Sequence, residues 1–212
     1  MAERESARER IIEAACDLIA ADGIDDVRIA RVAMRAGAST ALVHHYFSTR
    51  EELLEQALLH SFEQVGDERF ADADADADTE GETATAALAE AIEECLPRPG
   101  RYERDWVLWV ELWLRAAREP DLRPLAASLY ARYHEWLEDV LKRGIESGEF
   151  KAPDDLPELT DRAMALLDGL GLRALLHDPT MDIDAARAQV ADFLAEPLGI
   201  DAKELARRVT KH

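Results

Sequence analysis

The sequence predicts an all-α fold, and three observations carry that prediction. No segment sustains the two-residue alternation of apolar and polar side chains that marks a half-buried strand. Apolar residues recur instead at three- and four-residue steps. Ser/Thr caps, Gly stops and Pro breaks then cut the chain into about ten helix-length pieces.

The elements follow in order. A capping box, Ser6-x-x-Glu9, opens a first helix through Ile11, Ile12, Ala15, Leu18 and Ile19 that stops at Gly23. A short second helix spans about Ile29 to Ala36 and ends at Gly37; Ser39 caps a third that ends near Phe47. A second box, Thr49-x-x-Glu52, starts a long fourth helix through Leu53, Leu54, Ala57, Leu58 and Phe62. Residues 71–82, ADADADADTEGE, hold six acids and no bulky apolar side chain, and read as a solvated low-complexity loop. Helices are then expected over about 83–95, ended by Pro97 and Pro99, over 102–117, ended before Pro120, and over 122–147, stopped by Gly148. The last of these sets Leu122, Leu125, Leu129, Tyr133, Trp136 and Val140 on one stripe. Helices over about 158–177 and 183–195 and a short tail helix after Gly199 complete the count.

The 212 residues carry 45 Asp+Glu against 25 Lys+Arg, a formal charge of −20. A chain of this length can bury roughly 70% of its unfolded surface, and 48% apolar content excludes a disordered acidic tail. No apolar run approaches the length of a membrane span. The opening MAERESARERII lacks a signal-peptide core, so a cytoplasmic protein is expected. Cys16 and Cys95 form neither a disulfide framework nor a metal or redox pair by spacing, and inert thiols are expected.

Acidity alone argues against a nucleic-acid partner. Its distribution argues otherwise. Residues 1–26 sum to −5 and residues 51–212 to −19, whereas 27–50 carry Arg28, Arg31, Arg35 and Arg50 with no acid, giving +4. The acid-free window reads either as chance clustering or as a surface that faces a polyanion.

Two short helices joined by a glycine turn, about residues 29–47, make a helix-turn-helix, in which the start of the second helix enters the major groove. Ala33 is small where the helices cross, Gly37 permits the turn, and Val32, Val43 and Leu53 are spaced to fill the core behind them. The run IARVAMRAGASTALVHHYFSTREELL resembles the TetR family of repressors, through Val32-Ala33, Ala36-Gly37-Ala38-Ser39, Val43, Tyr46-Phe47, Thr49-Arg50-Glu51 and Leu53-Leu54. The resemblance covers about residues 6–66. It implies a homodimeric, ligand-responsive regulator of transcription, a repressor, whose DNA-binding domain (6–66) precedes a ligand-binding and dimerisation domain (67–212). Carried over by position, Thr40, Ala41 and His44 face base edges, while Ser39, His45, Tyr46, Thr49 and Arg50 contact phosphates. The physics agrees in part, because Ser39 and Thr49 open helices whose first amides suit phosphate oxygens. Arg28 stands where the family usually has a capping Thr or Ser. It is expected either to approach a phosphate or to lie in solvent with Asp26 capping in its place.

His44-His45 does not make a metal pair, since neighbours in sequence do not share a helix face, and no metal or cofactor is expected. No nucleophile with a nearby base and no glycine-rich phosphate loop is present, so an enzyme is not expected.

Trp106, Trp109 and Trp113 fall at i, i+3 and i+7, and Tyr130, Tyr133 and His134 follow on the next helix. These residues read either as ordinary core or as the wall of a pocket for an apolar or cationic effector. Residues 107–195 resemble the C-terminal domain of the choline-responsive BetI-type subgroup, through WVELWLRAAREPDLRPLAASLYARYHEWLEDVLKRGIESGEF and LLDGLGLRALL. On the last two long helices, Gly169, Gly171 and Ala174 permit close backbone approach and Leu166, Leu170 and Phe193 supply apolar area, so they are the expected dimer surface. The expected partners are therefore double-stranded operator DNA, a small-molecule effector and a second copy of the chain. The competing reading is a helical small-molecule-binding or scaffold protein that does not bind DNA.

Overall fold

A computed structural model describes residues 6–61 and 83–207. Every regular element among these is helical: α1 (Ala7–Asp22), α2 (Ile29–Arg35), α3 (Thr40–Tyr46), α4 (from residue 50 through 61), α5 (Ala84–Glu94), α6 (Arg101–Arg118), α7 (Arg123–Glu146), α8 (Leu156–Leu175), α9 (Ile183–Leu198) and α10 (Ala202–Leu205). Single 3-10 turns at Ile24–Asp26 and Pro120–Leu122 precede α2 and α7. The acidic loop predicted over 71–82 lies outside the described residues.

The chain forms two compact units. Of the described residues, the first holds 6–61 together with Arg104–Ala126, and the second holds 83–103 and 127–207. In the first, α1 packs on α2 and α3. Its core is the apolar set that periodicity selected: Ile11, Ile12, Ile19, Val32, Val43 and Leu53 are all at most 1% exposed. In the second, α9 packs on α5, α8 and α10, burying Val190, Leu194 and Leu198 completely.

The predicted caps form where their chemistry allows. Ser6 and Glu9 make the full reciprocal box on α1. Thr49 Oγ1 accepts the Glu52 N–H at 3.0 Å, but the Glu52 carboxylate takes the Ser48 N–H at 2.7 Å, one residue outside the predicted box. Gly37, at φ 63°, closes α2 in a full Schellman motif: the Ala38 N–H donates to Ala33 O and the Gly37 N–H to Met34 O.

One predicted helix end is corrected. The segment expected to stop at 195 continues through Pro197 to Leu198. The proline falls in the last turn, where it removes only the bond its nitrogen would give to Phe193. The turn is held by the fully buried Leu198 side chain and by the Lys151 N–H on the Leu198 carbonyl at 2.7 Å.

The end of α8 repeats the geometry of Gly37 with the wrong residue. His177 has φ 53°, with its N–H on Ala174 O and the Asp178 N–H on Arg173 O. A side chain in this left-handed region costs about 1 kcal/mol that glycine avoids. His177→Gly is therefore expected to raise stability by about 0.5–1 kcal/mol, read as a higher urea midpoint at unchanged slope. A lower midpoint would show that the imidazole contributes more than the strain costs.

Candidate nucleic-acid interface and effector region

Around the fully buried Val43, α3 presents Thr40, Ala41, His44, His45 and Tyr46 to solvent, and Ser39 and Thr49 flank it in exposed positions. This follows from the sequence: Val43, with the half-buried Leu42 beside it, anchors the seven-residue helix and leaves the other five residues outside. Ser39 caps α3 by accepting the Leu42 N–H at 3.1 Å. The His45 and Tyr46 rings meet edge to face at 5.2 Å, next to the buried Phe47.

The four arginines of the acid-free window are less available than the charge count implies. Arg31 pairs with Asp22 at 2.6 Å, and Arg35 with Asp17 at 2.8 Å. Arg50 donates to the backbone carbonyls of Val27, Ile24 and Asp25 at 2.7, 2.5 and 3.1 Å. Arg28 is the exposed N-cap residue of α2 and reaches the Asp25 carbonyl at 3.4 Å. Asp26 does not take its place, since α2 has no side-chain cap. Folding thus brings the acids of α1 onto the window that sequence order had separated from them.

Behind this surface lies an ionic network that sequence reading missed. Arg104 Nη1 donates to Glu13 Oε2 at 2.9 Å and to Asp17 Oδ1 at 3.0 Å, while Asp105 lies 3.4 Å from the same guanidinium. Asp17 also holds Arg35, and Glu13 Oε1 lies 3.1 Å from His60 Nε2. The His60 ring, and after it Arg104, hold the Glu13 carboxyl down at about 2 against the opposing effect of its burial. Arg104 stands 87 and 91 residues from its partners. No local motif could mark it. Cys16 sits beside this cluster with its thiol on the Ala57 carbonyl at 3.2 Å, and burial pushes it up to about 12, which leaves no thiolate for redox chemistry near neutrality.

The predicted effector residues divide between the units. In the first, Trp106 and Trp109 are buried, and Trp109 stacks on Trp113 with centroids 5.3 Å apart. In the second, Tyr133 is buried edge-on to Trp136, and His134 is tied to Asp161 at 3.0 Å. The Tyr130 hydroxyl donates to Asp168 at 2.8 Å. Burial raises the Asp168 carboxyl to about 6, and the tyrosine bond opposes that only in part. Asp168 was not singled out from sequence, although a lone acid inside ALLDGLGL was a readable signal.

The predicted dimer residues divide by helix face. Leu170, Gly171 and Ala174 are buried within the chain, whereas Gly169 is exposed and Leu166 and Phe193 are half-buried. The 3.6-residue period turns the first three inward with Ala163 and Leu167. It leaves Leu172 and Leu176 outside, 36% and 70% exposed.

Residues 11–57 match the family described as bacterial regulatory proteins, tetR family, and residues 84–199 match the BetI-type transcriptional repressor C-terminal family. The HTH-type transcriptional regulator BetI 1 of Chromohalobacter salexigens is 29% identical over 201 residues, covering 90% of each chain. A Saccharomonospora viridis protein solved in complex with choline superposes with a TM-score of 0.79 at 29% identity, covering 92% of this chain and 98% of that one. A TetR transcription regulator of Haloarcula marismortui superposes with a TM-score of 0.72 at 25% identity, over 91% and 98% of the two chains.

Proposed function

The chain belongs to the TetR family of transcriptional regulators, with a C-terminal domain of the BetI type, and from that premise we propose a cytoplasmic, homodimeric repressor released from its operator by a small cationic effector. The observation that carries the DNA-binding part is the α3 surface, exposed except at the buried Val43 and the half-buried Leu42. Thr40, Ala41 and His44 read base edges; Ser39, His45, Tyr46 and Thr49 position the helix on phosphates, and Arg28 supplies charge. None of the base-facing set makes the bidentate contacts of Arg, Asn or Gln, so DNA shape contributes to specificity.

Dimerisation is assigned to the outward faces of α8 and α9, through Leu166, Gly169, Leu172, Leu176 and Phe193 in an isologous contact. Two heads so joined dock on successive major grooves about 34–36 Å apart. Effector binding favours a state in which that spacing is lost, which requires tighter binding to the off-DNA state. No catalytic step enters this scheme.

For the effector, the second unit offers Tyr130 bonded to a partly desolvated carboxylate, Asp168, with Tyr133 and His134 one turn further along the helix that carries Tyr130; aromatic rings and a carboxylate are the chemistry that suits a quaternary ammonium. Choline is the natural first probe, because the Saccharomonospora viridis relative was solved with it. The test is a gel shift on the DNA upstream of the gene, with and without choline. Asp168→Asn is expected to weaken choline binding by about tenfold, the loss of roughly one charge-assisted contact. The same substitution removes a carboxylate whose folded value lies above its unfolded one, so it is expected to raise stability at pH 7.5 by about 1–2 kcal/mol. A folded parent dimer that shifts no DNA at low salt would favour the scaffold reading. Unchanged choline affinity in the variant would remove Asp168 from the site.

A further inference from the structure

We infer that Arg50 is a positioning residue of the DNA-reading head, a clamp that holds the start of α2 against the start of α4, and not a phosphate contact. The inference rests on the proposal that the chain binds operator DNA, and it departs from the role that position implies.

The geometry is specific. Nε donates to the Val27 carbonyl, and Nη2 donates to the carbonyls of Ile24 and Asp25. Nη1 lies 3.5 Å from Glu51, and the side chain is only 27% exposed. All three carbonyls belong to the turn that immediately precedes Arg28, the N-cap of α2. Arg50 itself is the first helical residue of α4. The bonds span 23 to 26 residues and therefore tie together the two ends of the segment that carries α2, the glycine turn and α3.

A phosphate contact would require the guanidinium to turn outward and abandon these carbonyls, which charged donors satisfy more strongly than neutral ones do. Lysine cannot reproduce the arrangement, because its single ammonium lacks the planar fork that reaches Val27 on one side and Ile24 and Asp25 on the other. Without the clamp, residues 24–28 are free to shift relative to α4, and the tilt of α3 shifts with them. The charged approach to the backbone falls instead to the exposed Arg28.

The test compares the parent with Arg50→Lys and Arg50→Gln at a temperature where all three are equally helical by circular dichroism. The probe is a duplex selected by the parent from a random library. Both variants are expected to bind it at least about tenfold more weakly, with the parent's slope of log affinity against log salt. Amides of residues 24–31 are expected to exchange faster in both variants without DNA. A phosphate contact predicts the reverse pattern: Arg50→Lys near parental affinity, and Arg50→Gln with a slope reduced by about 0.9. That pattern overturns the inference, as does unchanged affinity in both variants. A parent that selects no duplex refutes the DNA-binding proposal instead, and the exchange measurement then decides the clamp, which unchanged exchange overturns.

Discussion

Arg104→Met is expected to lower stability at pH 7 by about 2–3 kcal/mol, below the roughly 3–5 kcal/mol that breaking a fully buried ion pair costs, because the guanidinium is 21% exposed. Methionine keeps most of the aliphatic stem, so the loss is electrostatic. It leaves Glu13, Asp17 and Asp105 clustered without the guanidinium that joins them. The pH dependence supplies a second signature. Glu13 is held at about 2 when folded against 4.5 ordinarily. A depressed carboxylate contributes stability that is present above pH 4.5 and lost as pH falls from there towards 2. Asp168, raised to about 6, acts in the opposite sense, with stability gained as pH falls through 6. The parent is therefore expected to gain stability as pH falls through 6 to 4.5, to change little while the two effects oppose each other down to about 3.8, and to lose below that. In Arg104→Met the Glu13 carboxyl moves part of the way back up, since the His60 ring still holds it, which reduces the loss at low pH and leaves the gain above pH 4.5. Urea denaturation across that range checks both parts. A loss below about 0.5 kcal/mol at pH 7 would mean that the network behaves as a solvated surface cluster.

That network also marks the boundary of what the sequence made legible. Local chemistry was readable wherever a few neighbouring residues determine the outcome. Ser6 with Glu9, Ser39 and Gly37 each set a helix end within a few positions, and Val32, Val43 and Leu53 meet in one core because their spacing leaves them no other face. The two family resemblances extended this to the whole architecture, which the matches over 11–57 and 84–199 bear out. The electrostatics were not readable, because charge pairs in space and not along the chain. A window at +4 turned out to hold two arginines neutralised by α1 and a third committed to backbone carbonyls. Helix faces were readable only to within a residue or two. Gly171 and Ala174 carry the small side chains that suggest close helix approach, yet they approach their own chain, while Leu172 and Leu176 beside them face out. Pro197 misled for a related reason. Its prohibition holds in a helix interior and weakens in the last turn, where little hydrogen bonding remains to be lost.

Gly144→Ala is expected to lower stability by about 2 kcal/mol, against the intrinsic preference, which favours alanine in a helix interior by about 1 kcal/mol. The reason is the Phe150 ring. A Cβ on Gly144 would lie 2.1 Å from Phe150 Cδ2, 2.2 Å from Cε2 and 2.7 Å from Cγ. The ring has little room to retreat, being 4% exposed, and the Phe150 N–H is fixed on the Gly144 carbonyl at 2.8 Å. Overpacking of this kind costs about 1–3 kcal/mol and sometimes more, enough to reverse the propensity gain. The effect reaches beyond α7, because the turn that carries Phe150 also carries two ties between helices. The Glu149 carboxylate accepts the Ala84 N–H that opens α5, and the Lys151 N–H donates to the Leu198 carbonyl that closes α9. Displacing the ring therefore strains the junction of α5, α7 and α9 together. Phe150→Leu alone is expected to cost about 1 kcal/mol as a large-to-small change, and the double substitution is expected to be more stable than the two single losses add up to, because leucine gives the new methyl room. Urea midpoints of the four proteins measure that coupling. Strict additivity, or a Gly144→Ala midpoint above that of the parent, would show that the ring moves aside freely and that Gly144 is not held in place by Phe150.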